Sequence, residues 1–231
     1  MERNTLRNST GILLIVTPIL LNVLFTLLGV TFEYPDILRM PTGDVLARFQ
    51  AGGSGLIALW YAMTITAAFF IPIVLLMRQL LNDQDPSNVS FATTFGVIAG
   101  MVQILGFIRW PFLVPYLTRV YFDPTSSETM RETVALTFQV FNQYAGVAIG
   151  EHLGYLFTAL WTIFLGLALL KQPFYKPWLA RIGFILAIGI LFGMLEPAGV
   201  AWAGMVNFIA YTLWAFWLMA LGVATLRYQN T

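Results

Sequence analysis

The chain holds a single histidine, His152, beside a carboxylate, Glu151, at the mouth of the apolar run "YAGVAIGEHLGYLF". Three more residues invite a chemical reading: Arg109 in "LGFIRWPFLVP", Glu196 in "GMLEPAG" and Ser54 in "GGSGLIALW". An ionisable group inside an apolar segment is costly and is a functional candidate by default. An arginine flanked by two carboxylates neutralises buried charge, so Arg109, Glu151 and Glu196 suit one cluster. That cluster has two readings. It ties helices together as an ion-pair knot, or it gives polarity to a pocket lined by Trp110, Tyr116, Tyr144, Tyr155 and Trp202. His152 and Glu151 are the candidate acid–base groups, and Ser54 is the candidate nucleophile.

Other chemistries fit less well. There is no cysteine, hence no disulfide, thiolate metal site or cysteine nucleophile. One histidine cannot supply bis-histidine haem ligation within one chain. Adjacent residues point about 100° apart on a helix, whereas metal-binding helices use i, i+3 or i, i+4 spacing. Neither a metal nor a cofactor is expected. A net charge of +1 gives no electrostatic footprint for nucleic acid.

The elements that must position these groups follow from composition. Hydrophobic residues make up 58% of the chain and charged residues only 10%, against about 25% charged in soluble domains. The apolar residues fall into six runs of near-spanning length: 11–30, 53–77, 91–108, 149–170, 179–195 and 204–226. Backbone groups in lipid must be satisfied within each segment, which forces helices here, and the period-2 alternation of a barrel is absent. The expectation is an all-α bundle of six transmembrane helices, one membrane domain over residues 1–231. Arg3, Arg7, Arg78, Lys171, Lys176, Arg181 and Arg227 flank one side, along with Glu2, Asp83 and Asp85. That basic bias places both termini in the cytoplasm.

The long loops fall on the opposite, outer side. Loop one carries "TGDVLARFQ", a short amphipathic helix with Thr42 as N-cap. Loop three carries "SSETMRETVALTFQVFNQY", with Met130, Val134, Phe138, Phe141 and Ala145 at helical spacing. It reads as a surface helix or as an extension of span four.

Depth follows from a rise of 1.5 Å per residue. Arg109 lies about 27 Å along span three, Glu196 about 22 Å along span five, and Glu151 about 30 Å from Lys171. All three, with His152, fall toward the outer face. The inner half of each span lacks a carboxylate, so the polar groups describe an outward-opening pocket rather than a complete ion path. Gly146, Gly150, Gly154, Thr158, Thr162 and Gly166 recur every fourth residue, a small-residue stripe that lets helices approach closely in lipid. Gly96/Gly100 and Gly189/Gly193 repeat the spacing and are the expected partners. The Gly146–Gly150–Gly154 seam is also a candidate docking face for another copy or a different subunit.

Two resemblances attach to these residues. "GGSG" around Ser54 and the His152–Gly154 segment resemble the motif pair of rhomboid intramembrane proteases, which implies a serine–histidine dyad. Here the motifs stand on spans two and four, where the rhomboid core has them on four and six. The segments "LGFIRWPFLVP", "YAGVAIGEHLGYLFTALW", "KPWLARIGFILA" and "GMLEPAG" resemble a bacterial family of multi-pass membrane proteins known only as a domain of unknown function, over roughly residues 50–200. That resemblance implies a bacterial inner membrane and no particular activity. The functional expectation is an outward pocket for a lipid- or quinone-type molecule. The alternatives are a membrane enzyme using His152 and an accessory subunit.

Overall fold

The computed structural model describes residues 3–81 and 85–227; Glu2 and Asp83, counted above among the flanking charges, lie outside them. The described chain is helical: α1 (Arg3–Phe32), a 3-10 turn (Asp36–Arg39), α2 (Thr42–Ala68), α3 (Phe70–Leu81), α4 (Pro86–Phe107), α5 (Arg109–Phe122), α6 (Glu128–Phe141), a π-helical segment (Asn142–Leu153), α7 (Gly154–Leu170), α8 (Pro177–Phe192), a second 3-10 turn (Gly193–Leu195) and α9 (Ala203–Arg227). Six helical stretches are long and apolar enough to cross a membrane: Arg3–Phe32, Thr42–Leu81, Pro86–Phe122, Glu128–Leu170, Pro177–Leu195 and Ala203–Arg227.

Spans two, three and four are longer than hydropathy alone delimits. At 40, 37 and 43 residues they would rise roughly 55–65 Å if straight, twice a hydrocarbon core of about 30 Å. Their surplus turns are the loop-one helix, α5 and α6, each continuous with its span.

Proline sets two of the internal breaks. A proline at position i leaves the carbonyl of residue i−4 without its helical donor. Pro72 does this to Ala68, the last residue of α2, and Pro111 does it to Phe107, the last residue of α4. A third break has another cause: within α2, Gly53 adopts φ 54°, ψ −148°, a region essentially reserved for glycine.

Thr42 is not the N-cap expected for α2. The helix begins at Thr42 itself, with the Pro41 carbonyl accepting from the Asp44 and Val45 amides. The Thr42 hydroxyl instead accepts from Gln139 Nε2 at 3.2 Å, joining α2 to α6. Thr42 is still near the helix start, but a long-range partner captured the oxygen.

The chain folds as two compact units. The first comprises Met1–Leu20, Ala68–Met101 and His152–Thr231; the second comprises Leu21–Ala67 and Val102–Glu151. In the first, α7 packs on α8 and α8 on α9. Trp161 meets Phe70 edge-on at 4.8 Å and Trp214 at 5.8 Å. Two of its buried indoles find acceptors: Trp214 Nε1 donates to Thr162 Oγ1 at 2.9 Å and Trp217 Nε1 to the Leu179 carbonyl at 2.8 Å. At one end of this unit the buried Asp85 receives Lys171 Nζ at 3.1 Å and Asn88 Nδ2 at 2.7 Å, while Gln172 Nε2 donates to the Leu81 carbonyl. Burial pushes the Asp85 carboxyl up, but the Asn88 amide and the Lys171 ammonium outweigh it and hold it below the usual range. Nearby, the buried Tyr175 hydroxyl donates to Thr225 Oγ1 at 2.6 Å, and the Thr225 hydroxyl donates in turn to the Leu221 carbonyl.

The second unit joins the C-terminal end of α1, nearly all of α2, the end of α4, α5, α6 and most of the π segment. Its core is aromatic, with Phe32, Phe49, Trp60, Trp110 and Phe138 buried together with Leu28, Leu46 and Val114.

Candidate functional site

Arg109 is the first residue of α5, just past the Pro111-induced break. Its guanidinium folds back so that Nη1 donates to the Gly106 carbonyl in the last turn of α4. A cation there meets the negative end of the helix dipole and an orphan carbonyl. Nη2 donates to Asn142 Oδ1 at 3.1 Å, at the start of the π segment. The guanidinium carbon sits 5.2 Å from the centre of the Trp110 ring, a cation–π distance. Arg109 is only 8% exposed.

Glycine makes this burial sterically possible. A Cβ on Gly146 would lie 2.5 Å from Arg109 Nη2, and a Cβ on Gly150 would lie 3.0 Å from Gly106 Cα. So the expected glycine seam exists, and span four does press against Gly96 through Trp161 and against Gly193 through Tyr155, but the seam glycines themselves have other neighbours. Gly150 meets Gly106, not Gly96 or Gly100, and Gly146 receives a guanidinium. Gly166 farther along receives the Phe184 ring in the first unit. Gly106 stands outside any four-residue glycine repeat, which is why pattern reading missed it.

Around Arg109 the aromatic core closes in. Trp60 and Trp110 stack with centroids 4.7 Å apart and planes 8° from parallel. Phe32 meets Trp110 edge-on at 5.3 Å, and Tyr34 meets Trp60 edge-on at 5.0 Å. Such pairs are worth about 0.5–1.5 kcal/mol each beyond their area burial. Tyr34 lies in the connection after α1. Burial, and then the Glu151 carboxylate, push its phenol up to about 12, while Arg109 pulls the other way. Tyr34 is therefore a neutral hydroxyl at physiological pH. Tyr34, Trp60 and Asn142 belong to the site and were not singled out by sequence. Trp60 had a signal in "GLIALW", an aromatic in the middle of a span; Tyr34 in a loop had none.

This core holds donors without acceptors. Arg109 Nε, Trp60 Nε1 and Trp110 Nε1 are buried with no hydrogen-bond partner, as is Thr118 Oγ1. A buried donor left unsatisfied costs about 1–3 kcal/mol. In the first unit, by comparison, the Trp214 and Trp217 N–H groups are satisfied.

The other residues proposed from sequence fall as follows. Trp110 is fully buried in this core, and Glu151, half-buried at the far end of the π segment, lies near enough to Arg109 and Tyr34 to act on both electrostatically. His152, half-buried, and Glu196, exposed, belong to the first unit. The Glu196 carboxylate lies over the first turn of α9, where a Cβ on Gly204 would be 3.1 Å from Oε2; a negative group is favourable at that helix end. Tyr155 packs against Tyr211 at 5.8 Å, and Trp202 against Phe192 at 5.4 Å. Tyr116, Tyr144 and Trp202 are all more than half exposed, as is Phe112 beside Tyr61. Exposed aromatics of this kind suit a membrane–water interface. Ser54 follows the Gly53 break, is exposed, and belongs to the second unit while His152 belongs to the first. Among the described residues no three His, Asp or Glu side chains gather as a metal site.

The arrangement defines a class: a multi-pass helical membrane protein with a buried, donor-rich aromatic core. The sequence matches the family described as "Domain of unknown function (DUF4386)" over residues 9–222, and the chain belongs to that family. The match extends well beyond the 50–200 segment expected, and nothing in it supports the rhomboid likeness. No curated protein matches the chain, and no solved structure does.

Proposed function

We propose that the second unit binds an amphipathic molecule with acceptor oxygens, of lipid or quinone type, at the Arg109–Trp110–Trp60 core. The observation that carries this reading is the set of three buried N–H donors on those residues without acceptors. Quinone carbonyls or lipid ester and phosphate oxygens would supply what the donors lack, and stacked indoles suit a flat or acyl-bearing partner. On this reading Tyr116, Tyr144 and Trp202 serve as interfacial anchors. The protein would sit in the inner membrane of a bacterium with both termini cytoplasmic and the site toward the outer leaflet, in keeping with the basic residues at the helix ends that adjoin the termini.

The test is a titration of the purified protein with short-chain ubiquinone and, separately, short-chain phosphatidylglycerol, read by tryptophan fluorescence and native mass spectrometry. Saturable binding of one of them, weakened at least tenfold by Arg109→Gln, is expected. Equal weak partitioning of both, unchanged by the substitution, overturns the reading.

A further inference from the structure

The π segment Asn142–Leu153 is twelve residues long, whereas π geometry elsewhere is mostly confined to single-turn bulges, often at functional sites. Arg109 engages this segment repeatedly. It donates to Asn142 at its start, and its guanidinium fills the space beside Gly146 one turn on. Farther along, Gly150 and Gly106 touch backbone to backbone. So the partners along α4 and α5 hold the segment at three successive points.

Winding decides whether these contacts coexist. A π turn closes its hydrogen bond at i→i+5 and an α turn at i→i+4. If Asn142 stays fixed and the stretch rewinds as α-helix, Gly150 turns by on the order of 100°. A residue bearing a Cβ then faces Gly106, where even a Cβ on Gly150 itself would be 3.0 Å from Gly106 Cα. The contacts to Asn142 and Gly106 therefore select the π winding together, and either alone leaves α available.

We infer that residues 142–151 form a winding switch in span four, with the Arg109–Asn142 hydrogen bond as its latch. The trigger, though not the switch, rests on the ligand reading above: an acceptor oxygen competing for the guanidinium withdraws it from Asn142 and frees the segment to rewind.

The test needs no ligand, so its failure is separable from failure of the binding proposal. The chain lacks cysteine, and its one histidine, His152, stands four residues after Ala148, where it would pair with an engineered histidine; the starting protein therefore carries His152→Gln, in which engineered histidine pairs report cleanly. Residues i and i+5 adjoin in π winding but not in α, where i+3 and i+4 adjoin. Gln143, Tyr144 and Ala148 are exposed. In nanodiscs, the pair Gln143→His with Ala148→His chelates Cu2+ in the starting protein, and adding Asn142→Ala weakens that chelation at least tenfold. The pair Tyr144→His with Ala148→His binds Cu2+ in both backgrounds and shows that the segment remains helical. If the first pair fails to chelate in the starting protein, or chelates equally well with Asn142→Ala and with Arg109→Gln, the switch is refuted.

Discussion

Gly106→Ala gives the sharpest test of the packing in the second unit. Its Cβ would lie 2.8 Å from Gly150 Cα and 3.5 Å from the Ala145 carbonyl oxygen. Carbon atoms pack at about 3.5–4.0 Å, so the two backbones must part by roughly 1 Å. Neither contact is the free end of a side chain, so local adjustment cannot absorb the strain. Overpacking of this kind costs about 1–3 kcal/mol. Alanine recovers about 1 kcal/mol of helix propensity, which leaves a net loss of about 0–2 kcal/mol. Gly55 is the control, because a Cβ there meets nothing within 4 Å. Gly55→Ala should stabilise by up to about 1 kcal/mol. The propensity gain is common to both, so at about 2–4 °C per kcal/mol for a chain of this size the two variants should separate by about 2–12 °C in thermal unfolding followed by tryptophan fluorescence. Equal or inverted melting temperatures would show that α4 and the π segment do not meet through these glycines.

Three further outcomes follow. Gly53→Ala places a side chain at φ 54°, ψ −148° and should cost about 1–3 kcal/mol although the surrounding space is open, measured as a lower unfolding midpoint relative to Gly55→Ala. The Asp85 carboxyl is held low in the folded chain, so its stabilisation is present above the ordinary carboxylate range and is lost as pH falls through the folded value; the acid-side loss of melting temperature should shrink in Asp85→Asn. Burial pushes the Tyr175 phenol up to about 12, so its contribution is present below pH 10 and is lost between pH 10 and 12; that alkaline loss, on the order of 2–3 kcal/mol, should diminish in Tyr175→Phe.

The six spans were legible because hydropathy is a local property, whereas the 53–77 run reads straight through Pro72, where the helix breaks. Partner choice was not legible. Thr42 reads as a cap until Gln139, from a distant segment, claims its oxygen. Glu196 seemed destined for Arg109 because both lie toward one end of their spans. It sits instead over the first turn of α9, and nothing local to "GMLEPAG" announces that preference. The π winding was invisible because every periodicity applied to the sequence assumed 3.6 residues per turn. The glycine stripe was visible, but Gly106 opposite Gly150 was not, since it has no repeat to advertise it.

The division of the chain carries a consequence for biosynthesis. The second unit closes at Glu151, whereas the first draws on residues up to the C-terminal helix α9. A ribosome making this chain from the N-terminus therefore delivers every segment of the Arg109 core before α8 and α9 exist. The aromatic core can assemble while the first unit still awaits half of its helices. Early-synthesised α3 and α4 meet each other where Gly96 and Gly100 face Val74 and Ile71, but Phe70 must wait for Trp161 of α7 and Trp214 of α9.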